Sequence, residues 1–295
     1  MRQTFFMLVV VTMLVTACRD HTATLEGDQG FDLGEQRETP DLAHSLTPSD
    51  MAASSEARHG LIYRASSYDE VRASGSAPDA DLDALVALQF ANSVCALDER
   101  ALTLPLDSLA PASPDNSRVK ASLSFVKNFQ ETFCQTYAGH ETLQYSEYSE
   151  RLAGSGDEGR LLSNALSFSG SPDSEAAQNV QQDLIKQLSV TTSPYFYLTG
   201  HDLLLEDPLV DYSAIQNRPV GMHVESLLMA RRYGVMLASC EKYDICANNS
   251  LFAISTCMPY ECMPSGGVEG YVRARLTDSE YDEARRYARE LLSGP

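Results

Sequence analysis

Four cysteines, Cys240, Cys246, Cys257 and Cys262, fall within "CEKYDICANNSLFAISTCMPYEC" at the spacing C-x5-C-x10-C-x4-C. Four thiols so close in sequence could bind a metal, exchange electrons or staple the chain. Zinc sites usually draw on C-x2-C pairs and redox centres on C-x-x-C, and the spacings here are looser than either. Disulfides closing short loops suit them better, at about 2 kcal/mol of entropic stabilisation each. His223-Val-Glu225, well ahead of Cys257 and Cys262, has the order of a deaminase His-x-Glu and cysteine pair, in which zinc activates water and the Glu moves protons. Thr256, however, stands where that motif has proline, and the gap between the halves is long. His140-Glu-Thr-Leu-Gln144 has the form of the metalloprotease H-E-x-x-H, but Gln144 occupies the position of the second zinc ligand. Glu147 and Glu150 share a helix face, with Glu131 and Glu141 near them in sequence, and paired carboxylates of this kind hydrolyse glycosides. With 41 acidic residues in the chain, such pairs are expected on solvated faces. No catalytic residue, metal ligand or cofactor is assigned.

The compartment decides how the cysteines are read. Met1-Arg2-Gln3-Thr4 places one positive charge ahead of "FFMLVVVTMLVTA", a run from Phe5 to Ala17 that is shorter than the roughly 20 residues a spanning helix needs. The run ends "LVTAC", which resembles the lipobox of bacterial lipoproteins. The resemblance implies that residues 1–17 are a signal peptide and that cleavage falls before Cys18. It further implies a diacylglycerol thioether on the Cys18 sulfur and an acyl chain, such as palmitate, on its amine. Arg19 rather than Asp follows, which under the enterobacterial sorting rule favours the outer membrane. The seven cysteines are 18, 95, 134, 240, 246, 257 and 262. With Cys18 lipidated, six remain, an even number for an oxidising compartment where disulfides persist.

Cleavage removes one arginine and no acid, leaving 21 basic against 41 acidic residues, a net charge of −20. Such a polyanion repels nucleic acid and anionic headgroups, so the lipid on Cys18 is the expected tie to the membrane. Residues 18–60 are polar and acidic with a single aromatic, Phe31, and read as a flexible tether. Residues 61–295 read as one helical domain that ends in a disulfide module over 233–295. Pro78-Asp79 leads into a helix through Leu82, Leu85, Val86 and Cys95. A second helix runs over 118–138, striped by Val119, Leu123, Val126, Phe133 and Tyr137, with Gly139 as its stop. Cys95 and Cys134 lie late in these two helices, so a Cys95–Cys134 bridge is the natural pairing.

Two short helices follow, separated by a Gly-rich turn. Ser171-Pro172-Asp173 and Ser193-Pro194 then open the two helices of a hairpin, by serine caps and proline in the first turn. In this hairpin Tyr195–Tyr197 reads as core and His201 as an interface histidine. A long helix over 219–242 carries Val224, Leu227, Leu228 and Leu237, and Thr277-Asp278-Ser279-Glu280 has the capping-box form ahead of the last helix. No β-alternation appears. The fold class expected is all-α: stacked helical hairpins, a short solenoid-like array or irregular bundle, stapled by disulfides.

"YGVMLASCEKYDICANNSLFAISTCMPYEC" with the capped helix after it resembles the end of helical envelope lipoproteins of bacteria. Their pattern is W/Y-x-L-A-x-C-x-x-G-x-D-C and then C-x(3–4)-C. This chain has Tyr243 in place of the glycine and carries Ile245 between Asp244 and Cys246. The resemblance implies the pairings Cys240–Cys246 and Cys257–Cys262, and it implies no activity. The functional expectation is a lipid-anchored scaffold or binding protein of the cell envelope, with an envelope protein or cell-wall component as partner. The alternative is a hydrolase of peptidoglycan or envelope glycan working through paired carboxylates.

Overall fold

The helices begin where side chains can satisfy the first free backbone N–H groups. In a computed structural model of the chain, the described residues are 65–97, 116–139, 145–171, 174–206, 209, 219, 221–258, 261–262 and 266–293. The expected signal peptide, Cys18 with its expected lipid, and the expected tether over 18–60 lie outside them. Ser67 accepts from Glu70 N and opens α1 (Tyr68–Gly75), and Asp81 does the same for α2 (Leu82–Ala96). Next come α3 (Asn116–Phe133), α4 (Tyr145–Gly154) and α5 (Asp157–Leu166). Ser174 caps α6 (Glu175–Leu188), and Ser193 with Pro194 opens α7 (Pro194–Leu203). The long helix α8 (Val224–Tyr243) is followed by α9 (Leu251–Cys257), α10 (Gly267–Arg275) and α11 (Asp278–Ser293). No strand occurs among the described residues, and all of them fall in one unit, Asp50–Pro295. The all-α, disulfide-stapled class is what the sequence led us to expect.

Helix α2 is buried on every side, from Leu82 through Leu88 and again at Ala91, Asn92 and Val94. An apolar helix without a polar face must be surrounded, and α1, α4, α7 and α9 all pack on it. The arrangement is therefore an irregular bundle around one axis rather than a linear array of repeats. Two polar side chains inside it are bonded. Asp83 accepts from Ser193 Oγ at 3.0 Å and Tyr195 N at 3.2 Å, so a carboxylate from α2 sits at the N-terminus of α7, where the helix dipole favours negative charge. Asn92 accepts from the Tyr68 hydroxyl at 2.8 Å. Gly75 lets α1 cross close to α2, because a Cβ there would lie 2.6 Å from the Ala84 carbonyl oxygen.

Several boundaries differ from the sequence reading. Helix α2 does not follow directly on Pro78-Asp79 but starts after Asp81, because the Asp81 carboxylate accepts from Ala84 N at 2.8 Å. Helix α6 starts after Ser174 instead of Ser171; Ser171 offers its carbonyl to Ser174 and so forms the turn ahead of the cap. The second striped helix ends at Phe133. Tyr137 follows in a turn and packs edge-on against Tyr68, ring centroids 5.0 Å apart, while Gly139 takes φ 80°. The long helix begins at Val224 with His223 at the cap position, leaving Pro219 to Met222 before it. Helices α1 and α10 were not anticipated.

Candidate functional site

The six cysteines after Cys18 form three disulfides: Cys95–Cys134, Cys240–Cys246 and Cys257–Cys262, with Cα separations of 5.5, 5.2 and 4.7 Å. The first ties the end of α2 to the residue after α3, where Gln130 Nε2 also donates to Val94 O at 2.7 Å and Leu97 O at 3.0 Å. The second closes the turn after α8. There Asp244 adopts φ 53°, and Ile245, 1 % exposed, inserts into the core between the exposed Asp244 and the half-buried Cys246. A short acid tolerates the left-handed conformation better than most residues, so the turn closes without a glycine. The third bridge joins the end of α9 to Cys262, whose N–H donates to Ser122 Oγ on α3 at 2.7 Å.

These bonds remove the thiols from metal chemistry. His223 and Glu225 are exposed at the start of α8, and Cys257 and Cys262 are bonded to each other, so no deaminase-type site is assembled. The His140–Gln144 motif and Glu141 lie outside the described residues. Glu131 is exposed on α3, and Glu147 and Glu150 are exposed on α4. A cleft of about 390 Å³ between the α1–α2 and α4–α5 connections is lined by Asp79, Asp81, Leu85, Arg151 and Gly156, among others, and by none of these glutamates. Two of its charged groups already hold structure: Asp81 caps α2, and Arg151 donates to Gly75 O at 2.8 Å and Ala77 O at 3.0 Å, closing the end of α1. Among the described residues no group of three or more His, Cys, Asp or Glu is placed to hold a metal ion. None of the described helices is long and apolar enough to cross a membrane.

Several perturbed titratable groups gather where α7 meets α8. His201 lies edge-on to Tyr197, ring centroids 4.5 Å apart, and Lys242 Nζ sits 4.3 Å from the Tyr197 ring centroid and 5.2 Å from that of Tyr243. Burial, helped by the Lys242 charge, lowers the His201 pKa to about 4. On the next residue, burial raises the Asp202 carboxyl to about 6, Arg232 opposing the rise and Glu206 adding to it. Arg232 lies 3.1 Å from Asp202 and also pairs with Glu206, so one guanidinium serves two carboxylates of the α7 end. The Tyr243 hydroxyl donates to Thr191 O at 3.2 Å, fixing the last turn of α8 against the turn between α6 and α7. Phe196 and Tyr197 are core residues, as expected, Tyr195 beside them is half-buried, and His201 is an interface histidine. The Asp202–Arg232–Glu206 group was not anticipated; the i, i+4 acids on an apolar helix and the Arg231-Arg232 pair inside another were its only sequence signals.

The two adjacent titrations have opposite signs. Neutral His201 contributes stability that is present above pH about 6.5 and is lost as pH falls through about 4. Asp202, with its pKa raised, contributes stability that is present below about 4 and is lost as pH rises through about 6. Each displacement amounts to about 3 kcal/mol, so between pH 4 and 6 the two offset each other. Asp202→Asn is expected to expose the His201 contribution, with the urea midpoint falling steeply on acidification from pH 6 to 4. His201→Gln is expected to produce a rise over the same window. Profiles that superimpose on that of the unaltered protein would refute this account.

Fold and site together define an all-α protein built around one enclosed helix and closed by three disulfides. Neither a protein-family model, nor a curated protein, nor a solved structure matches the chain.

Proposed function

We propose that the protein is a bacterial envelope lipoprotein: a helical scaffold or binding protein fastened through lipid on Cys18. The observation that carries this reading is the cysteine count. Three disulfides take up six of the seven cysteines, and the seventh is Cys18, at the end of the apolar N-terminal run. Disulfides persist in oxidising compartments and are rare in the cytosol. A mature charge of −20 keeps the body off anionic headgroups, so attachment rests on the acyl chains. Two chains suffice for stable anchoring where one does not. The partner is an envelope protein or a cell-wall component met by the acidic helical surface.

The test is metabolic labelling with an alkyne-tagged fatty acid, followed by detergent phase partitioning and mass spectrometry of the N-terminus. The expected product begins at a lipidated Cys18 and enters the detergent phase. Cys18→Ser is expected to lose the label and to retain residues 1–17. An unlabelled chain beginning at Met1 in the cytosolic fraction would refute the proposal.

A further inference from the structure

All three disulfides join cysteines that are neighbours in the order of the chain once Cys18 is set aside: 95 with 134, 240 with 246, 257 with 262. Of the many pairings that six cysteines allow, only one has this property. We infer that the chain is a substrate of an envelope thiol oxidase acting in N-to-C order as it emerges, and that it does not depend on a disulfide isomerase. The inference rests on the export reading above.

Strictly neighbouring pairs are what a vectorial oxidant produces. When Cys134 enters the oxidising compartment, Cys95 is the one sulfur already waiting, since lipid takes up that of Cys18. With that pair closed, Cys240 waits for Cys246, and Cys257 for Cys262. Loop lengths favour the same outcome. The competing Cys246–Cys257 closure spans eleven positions against six and five for the native local pairs, which disfavours it by roughly two- to threefold. Burial makes first-time accuracy matter. Cys262 is 0 % exposed and Cys257 8 %, so the folded domain hides that bond from any later exchange partner.

The chemistry balances. A thiolate of the chain attacks one sulfur of the oxidase disulfide, forming a mixed disulfide and releasing one oxidase thiol. The second thiolate of the chain then attacks its own bonded sulfur and expels the other oxidase thiol. One S–S bond forms in the chain and one breaks in the oxidase, which takes up two electrons and two protons for each pair.

The experiment follows the full-length protein in cells lacking either the oxidase or the isomerase, with acid quenching, thiol alkylation and non-reducing peptide mapping. Without the isomerase, the native three pairs are expected within about twofold of the parental level. Without the oxidase, free thiols at all six positions, Cys95, Cys134, Cys240, Cys246, Cys257 and Cys262, are expected to accumulate. A chain carrying Cys134→Ser, which lacks the thiolate that expels the oxidase from Cys95, should be recovered in part as a mixed disulfide with it. Scrambled pairs such as Cys246–Cys257 in cells without the isomerase, with native protein down about tenfold, would overturn the inference and leave the export reading standing. Free thiols at all six positions in the parental cells would instead sink the export reading, and this inference with it.

Discussion

Glu283→Ala is expected to cost about 3–5 kcal/mol of stability, the penalty for breaking a buried ion pair. The Glu283 side chain on α11 is 1 % exposed and that of Arg231 on α8 is 3 % exposed, with Nε and Oε1 at 3.2 Å. Arg286 reaches both carboxylate oxygens, at 2.7 and 2.8 Å, and the Arg231 guanidinium lies over the Tyr287 ring at 5.1 Å. Two cations therefore converge on one carboxylate at the most extensive helix contact in the domain, α8 against α11. The helices come this close because Gly234 faces the Ala284 carbonyl oxygen, which a Cβ would meet at 2.7 Å. Substitution by alanine removes the shared carboxylate and leaves the desolvation of the Arg231 guanidinium in place. Since a domain of this kind is stable by only about 5–15 kcal/mol, the variant should be partly unfolded at 37 °C. Urea denaturation of the Glu283→Ala and the Arg231→Met/Glu283→Leu proteins tests this. The apolar pair should recover most of the loss, because a buried ion pair replaced as a whole is often neutral. A loss under about 1 kcal/mol for Glu283→Ala would show that the pair carries no such weight.

The paired substitution Cys95→Ser/Cys134→Ser is expected to cost about 4 kcal/mol, against about 2 kcal/mol for Cys240→Ser/Cys246→Ser. The difference comes from the unfolded chain. The first bond closes a loop across a sequence separation of 39 and the second across only 6, and a longer loop confines more of the denatured ensemble. Gln130 holds the same junction through two carbonyls of the α2 end, so the helices should stay in register in the double variant. The loss should thus appear as a lower urea midpoint with native helical signal retained before the transition. Equal losses for the two bonds would contradict the loop-length account.

What the sequence disclosed was local. Ser193-Pro194 and Thr277 with Glu280 are read directly as caps, and the structure pairs Thr277 N with Glu280 Oε2 at 3.0 Å and Glu280 N with Thr277 Oγ1 at 3.4 Å. The Cys95–Cys134 bridge was legible because both residues fell at the ends of apolar stripes. Helix α1 was missed because it is eight residues long and buries only Tyr68, Val71 and Gly75, too few points to show a period. Helix α10 was missed because it opens on Gly266 and Gly267, both at positive φ, where glycine reads as a break. Asp83, Asn92, Arg231 and Glu283 look like solvated residues in one dimension. Each is buried against a partner supplied by another element, 24 to 110 positions away. Such partnerships are made by packing and leave no spacing to detect.

Because α9 lies against α2, and Cys262 hangs from Ser122, the cysteine-rich tail shares its interior with residues laid down far upstream. A recombinant fragment beginning near residue 233 would bare the side of α9 that α2 covers, and should clump rather than fold. What reads on the page as a portable cassette is one wall of a room whose other walls were built first.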